Sequence, residues 1–194
     1  MADANAYDAD ALQVEARRQR AQVEATAAPL DDVTFAQRPE AHRWSFGECL
    51  EHLALINTIY LDAIDATIGR ARGDDALRAG KRSRRHGWLG DAFVRSMEPP
   101  PRMKSGAVKG TKPLQRPRSE VLTEFLAAQD RLIRTIGEAR ELDLARVRMR
   151  SPFFRLLRLS LGQAFGVLLA HNRRHIWQAD GALALIRSDP LTRS

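Results

Sequence analysis

The sequence predicts an all-α chain built on four long helices, and three observations carry that reading. Apolar residues recur at helical spacing in four separate stretches. Two of those stretches open on a capping box, Ser45 with Glu48 and Ser160 with Gln163, in which each side chain satisfies the other residue's backbone N–H. No alternating Val, Ile and Thr run bounded by turn residues reads as a strand. Helices of about 20–28 residues with apolar stripes suggest a bundle, since each must bury its stripe against a neighbour.

The first helix is predicted over about 8–28, a stretch rich in Ala, Arg, Gln and Glu, all good helix formers, with Leu12, Ala16, Val23 and Leu30 available for burial. Pro29 and the Asp31–Asp32 pair close it. The second is predicted over about 45–72, ended by Gly73, with Phe46, Leu50, Leu53, Asn57, Tyr60 and Ile64 along its stripe. A long basic connection of about 73–118 follows, long enough for a crossover. Within it lie a KRSRR run at 81–85 and a short helix over 87–97 that presents Trp88, Leu89, Phe93 and Met97 as its docking stripe. A stretch dominated by Pro, Gly and Lys completes it. The third helix is predicted over about 119–141, after Pro117, with Val121, Phe125, Leu132, Ile133 and Ile136 at helical spacing. The fourth opens at Ser160 and ends before Pro190.

At 194 residues the chain reads as a single domain over 1–194 carrying that crossover insertion, and it is long enough to bury a core without staples. No apolar run approaches the roughly 20 residues needed to span a bilayer. The acidic N-terminal stretch lacks a basic-then-apolar signal pattern, so a cytoplasmic protein without membrane attachment is expected. The single cysteine, Cys49, excludes an internal disulfide and reads as a small buried hydrophobe. The net charge of +7 is concentrated: residues 70–118 hold fourteen Lys and Arg against four Asp and Glu, while the remainder is slightly acidic.

The chemistry-bearing residues are histidines. Projected at 100° per residue from Ala164, His171 falls at roughly 340° and His175 at roughly 20°, on the centre of the fourth helix's apolar stripe. Buried unpartnered imidazoles cost about 1–3 kcal/mol each, so two on one face call for a ligand or a partner. Residues at i and i+4 stand roughly 5–6 Å apart at Cβ, within reach of one ion at about 2.1 Å. His52, on the flank of the second helix's stripe beside Cys49 and Ile56, is the candidate third ligand. His42 and His86 are expected to be exposed or non-ligating. The pair reads His-Asn-Arg-Arg-His, so the glutamate that serves as general base in a zinc protease is replaced by Asn172.

Several of these residues resemble one family. Trp44-Ser45-x-x-Glu48-x-x-x-His52-Leu53, the Pro- and Lys-rich crossover, Leu161-Gly162-Gln163 and His171-x-x-Arg174-His175-x-x-Gln178 are similar to the DinB/YfiT-like superfamily, over about 44–182. The resemblance implies a four-helix bundle of up-down-down-up topology. It also implies a divalent metal at one end of the bundle, held by three histidines with positions left open for water or substrate. His52, His171 and His175 match those three. Relatives include bacillithiol- and mycothiol-dependent transferases and isomerases, and homodimers are frequent. The chain departs from the family where Asn172 stands at an often acidic position, and where the segment 151–159 lacks a glycine-containing turn.

The leading functional expectation is therefore a metal-dependent transferase or hydrolase acting on a small thiol or electrophile. Zn or Ni is the favoured ion for an imidazole site, a low-molecular-weight thiol is a candidate cofactor, and a homodimer is expected. Gln178, Glu48 and Glu51 are candidate pocket or ligand-orienting groups. The alternatives are a non-catalytic metal-binding bundle and a nucleic-acid module acting through the basic 70–118 segment. The latter lacks the interleaved aromatics that stack bases.

Overall fold

The computed structural model describes residues 7–78, 86–100 and 110–188. The architecture is predominantly helical: α1 (Ala9–Ala27), α2 (Asp32–Ala36), α3 (Phe46–Ala71), α4 (Trp88–Met97), α5 (Arg118–Glu138) and α6 (Leu161–Ser188). No described helix is long and apolar enough to cross a membrane. The KRSRR run and residues 101–109 of the basic crossover lie outside the described residues.

Local chemistry sets the helix starts. The Asp8 carboxylate accepts from the backbone N–H groups of Asp10 and Ala11 and opens α1, and Asp31 accepts from Thr34 N–H at 2.8 Å and opens α2. That second cap was expected only to close the first helix; it also starts a new turn that buries Phe35. Both capping boxes form as predicted. Ser45 Oγ accepts from Glu48 N–H at 3.1 Å while Glu48 accepts from Ser45 N–H at 2.9 Å. Ser160 and Gln163 repeat the exchange at 3.2 and 3.0 Å.

Three expectations need correction. Two short strands exist: β1 (Arg148–Arg150) pairs antiparallel with β2 (Arg158–Ser160), with Met149 opposite Leu159. Each contributes one buried apolar residue, Met149 between two arginines and Leu159 between Arg158 and Ser160, too few for an alternation to show in sequence. The third helix stops at Glu138, and a 3₁₀ turn over Ala139–Glu141 finishes it.

The docking face of α4 is the third correction. Phe93 and Met97 of the expected stripe pack against the core, but Gly90 and Val94 are the buried residues, while Trp88 and Leu89 stand 78% and 54% exposed. Gly90 explains the choice. A Cβ there would lie 2.3 Å from Gln163 Oε1, so only glycine lets α4 approach α6 this closely. Gln163 Nε2 then donates to Gly87 O at 2.6 Å and Asp91 Oδ1 at 2.8 Å, tying the two helices together. A stripe drawn from large side chains cannot register a contact made by the absence of one.

Four long helices share the core. Buried Leu12 and Ala16 of α1, Ile64 and Ile68 of α3, Leu132 and Ile136 of α5, and Phe165 and Leu168 of α6 form one cluster. A second gathers Val23, Phe46, Leu50, Leu53, Phe125 and Ile176 around Phe35. Leu132, Ile133 and Ile136 of α5 are all buried inside the protomer and leave no apolar surface for a second copy there. Polar ladders set the relative directions. Asp65 meets Arg131 and Thr135, and Arg72 meets Glu138, so α3 and α5 advance together. Arg118 donates to Ala27 O and Gln13 to Ile133 O, so α1 opposes α5. Glu15 pairs with Arg173 and Gln22 with Asp180, so α1 and α6 run alike.

Candidate metal centre

Helix α3 delivers His52 about one turn after Glu48 of its capping box, and α6 delivers His171 and His175 one turn apart. The three rings converge. Their centroids are 5.2 Å (His52 to His171), 4.7 Å (His52 to His175) and 4.5 Å (His171 to His175) apart. One ring nitrogen from each lies within 4.8 Å of the other two, a set that can hold a metal ion. Cys49, although beside His52 in sequence, is fully buried outside this group, and burial pushes its thiol pKa up.

The protonation states suit ligation. His52 Nδ1 lies 2.7 Å from the Thr111 carbonyl, which can only accept, so Nδ1 carries the proton and Nε2 keeps its lone pair. Burial pushes the His52 pKa down against the upward pull of that carbonyl. Burial, then the neighbouring His52 and Arg174, lowers His171 to about 3. The same causes, with His171 itself, hold His175 well below the usual imidazole range. All three are thus neutral near pH 7. The Nδ1 atoms of His171 and His175 are buried with no hydrogen-bond partner among the described residues. Neutral imidazoles with unspent buried nitrogens are the donor set a divalent ion uses.

The surroundings sort the other candidates. Gln178 lies beside His175, where it pulls the imidazole pKa up against burial, and it lines the adjacent cavity. Glu48 and Glu51 are not brought to the histidines. Glu48 is buried and committed to the Ser45 cap and the Arg38 guanidinium, which hold its pKa down against burial. Glu51 accepts from the backbone N–H groups of Leu114 and Gln115, both at 3.0 Å. The two carboxylates instead secure the chain that carries Thr111. His42 is 79% exposed beside Glu40, at the cavity rim. His86 stands apart from the triad, with Nδ1 2.7 Å from Ser160 Oγ and its ring against Tyr7.

Sequence reasoning missed two contributors. The Thr111 carbonyl leaves no trace in sequence, because any residue supplies a carbonyl. Trp44 packs 5.1 Å from the His52 ring and 5.7 Å, nearly parallel, from the His175 ring. Its position just ahead of the Ser45 cap was the available signal, since the residue before an N-cap folds back over the first turns.

A cavity of about 630 Å³ opens in front of the histidines. Its walls include Ile56 and Tyr60 of α3, Phe93 and Met97 of α4, and Val167 and Leu168 of α6. Such a volume accommodates a small organic molecule rather than an ion alone.

Comparison with curated proteins and with solved structures returns no match. The family model for the DinB superfamily matches residues 15–179, a span that contains all three converging histidines and most of the chain. This protein belongs to the DinB superfamily.

Proposed function

We propose that His52, His171 and His175 bind one divalent ion, Zn or Ni by preference, and that the protein is a metal-dependent transferase or hydrolase acting on a small thiol or electrophile. The convergence of three neutral imidazoles at the wall of a roomy apolar cavity carries this reading. Three protein ligands leave room for a substrate atom, the layout of catalytic rather than structural zinc sites. When bound, such a metal lowers the pKa of a coordinated water or thiol and so supplies a nucleophile near neutral pH. The protein's own groups do the rest. The Thr111 carbonyl fixes the His52 tautomer, Gln178 orients His175, and Trp44 covers the rings on one side. Ile56 and Val167, each one turn from a histidine, give the reacting end apolar walls.

We further propose that residues 1–194 form one four-helix unit of up-down-down-up topology, supported by the directions of the Asp65–Arg131, Gln13–Ile133 and Glu15–Arg173 contacts. A homodimer is the proposed assembly. Exposed Val14, Trp88 and Trp177 are the apolar surface available to it, and light scattering showing only a 21.8 kDa species would exclude it.

Metal analysis of the purified protein, followed by a thiol-transfer screen, tests the main reading. Turnover that vanishes with chelator and returns with metal identifies an enzyme. Metal bound at the histidines without turnover on any thiol or electrophile identifies a non-catalytic metal-binding bundle.

A further inference from the structure

We propose that the cavity takes an organic carboxylate with an apolar or aromatic body, its charged head held at the histidine end by Lys112 and Arg174. The inference rests on the metal reading for which end of the cavity is reactive; the recognition itself uses only the protein's side chains.

The charges point one way. Among the described residues, the cavity lining contains Arg38, Lys112 and Arg174 and no Asp or Glu. Arg38 is held bidentate on Glu48. Lys112 and Arg174 lie where the histidines are anchored. Lys112 directly follows Thr111, whose carbonyl takes the His52 N–H, and Arg174 lies between His171 and His175 on α6. Arg174 is close enough to both imidazoles for its charge to register on them. Adding a divalent ion to this end would increase its positive character further. A ligand bearing a cation there would meet like charges next to low-dielectric walls, where repulsion is poorly screened. An anion meets the opposite.

The walls point to the other half of the ligand. Along α3 the lining runs from His52 through Ile56 to Tyr60, two turns or roughly 12 Å at 1.5 Å per residue. Along α6 it runs back from His171 to Leu168 and Val167. The far end is closed by aromatic rings: Phe153 stands 5.7 Å from Tyr60, and Phe154 stands 5.5 Å from Phe93. The tip between β1 and β2 therefore contributes two rings to the cavity. The Tyr60 hydroxyl is engaged 3.0 Å from Ser151 Oγ, so its ring rather than its oxygen is offered to the interior. A chain or ring of several carbons fills this length, and its anionic end reaches Lys112 and Arg174.

Isothermal titration of the full chain with 4-phenylbutyrate, 4-phenylbutanol and 4-phenylbutylamine tests this. Each titration is run on metal-loaded protein and again after chelation. The carboxylate is expected to bind about a hundredfold more tightly than the alcohol, the size of two charge-assisted hydrogen bonds, and the amine more weakly than either. The preference should survive chelation, because both cations belong to the protein. Lys112→Gln and Arg174→Gln should each reduce carboxylate affinity by about tenfold and leave the alcohol unchanged. Lys112→Glu alters an exposed side chain, so its fold is expected to match the parent by circular dichroism, and it should abolish the preference. Equal binding of alcohol and carboxylate, unchanged affinity in the variants, or no carboxylate binding at millimolar concentration would each overturn the proposal. Protein that binds no metal yet prefers the carboxylate would sink the metal reading and uphold this one. Metal binding without any carboxylate preference would do the reverse.

Discussion

Two groups of largely buried polar side chains in this protein are alike in carrying unpartnered atoms and differ in arrangement. His52, His171 and His175 converge in front of a cavity. Gln19, Asn57, Gln129 and Asn172, one from each long helix, are completely buried within the bundle. Both groups contain polar atoms with no hydrogen-bond partner among the described residues, including both amide atoms of Asn57, Gln129 and Asn172. None of the four amides lines the cavity. The contrast shows that an unpartnered buried polar atom is not by itself a ligand site. The histidines differ in bringing lone pairs to one point and in opening on space for a ligand. Enclosed amides are ordinarily satisfied by ordered water.

The strongest way to break that contrast is to remove a member of the first group. Binding to the native state alone stabilises by RT ln(1 + [L]/Kd), about 2.7 kcal/mol at one hundred times Kd. His175→Ala should abolish this metal-dependent rise in melting temperature. A variant that keeps the full rise would remove His175 from the ligand set.

Glu48→Gln comes next. It weakens the Ser45 cap and leaves Arg38 without its charged partner, and should cost about 1–3 kcal/mol in denaturant unfolding. Metal stoichiometry should nevertheless match the parent, since Glu48 supports the chain near Thr111 rather than the rings. Loss of metal with intact secondary structure would return Glu48 to the site.

Asn57→Leu probes the second group. Exchanging an enclosed amide for an apolar group of similar size should shift stability by only about 1 kcal/mol and leave metal affinity as in the parent. A large drop in metal affinity would mean that the two groups act as one.

The smallest effect is a pH dependence at Glu15, which holds the outer side of the same α6 turn through Arg173. Its carboxyl is pulled down to about 2: burial alone would raise it, and hydrogen bonds from Arg18, Arg173 and Gln19 outweigh burial. A depressed carboxylate stabilises the fold above its unfolded value of 4.5, and that contribution is lost as pH falls through about 2. Acid titration of Glu15→Gln should therefore show a shallower loss of stability below pH 4.5 than the parent. Superimposable curves would show that Arg173 is held by Glu98 alone.

The sequence by itself determined the four long helices, both capping boxes, the burial of Leu12, Ala16 and Val23, and the identity of the converging histidines. These were legible because caps and stripes are local: the residues that decide them lie within a few positions of one another. His171 and His175 were readable for the same reason, as a pair on one helical turn. The tertiary structure alone decided what lies between elements distant in the chain. It placed the Thr111 carbonyl on His52 across 59 residues, tied Glu48 and Glu51 to other partners, turned Gly90 rather than Trp88 towards α6, and closed the cavity with Phe153 and Phe154. Backbone carbonyls, missing side chains and two aromatics in the loop between two three-residue strands have no periodicity to read. Their roles are set by which surfaces the packed helices bring face to face, and that follows from the balance of contacts over the whole core.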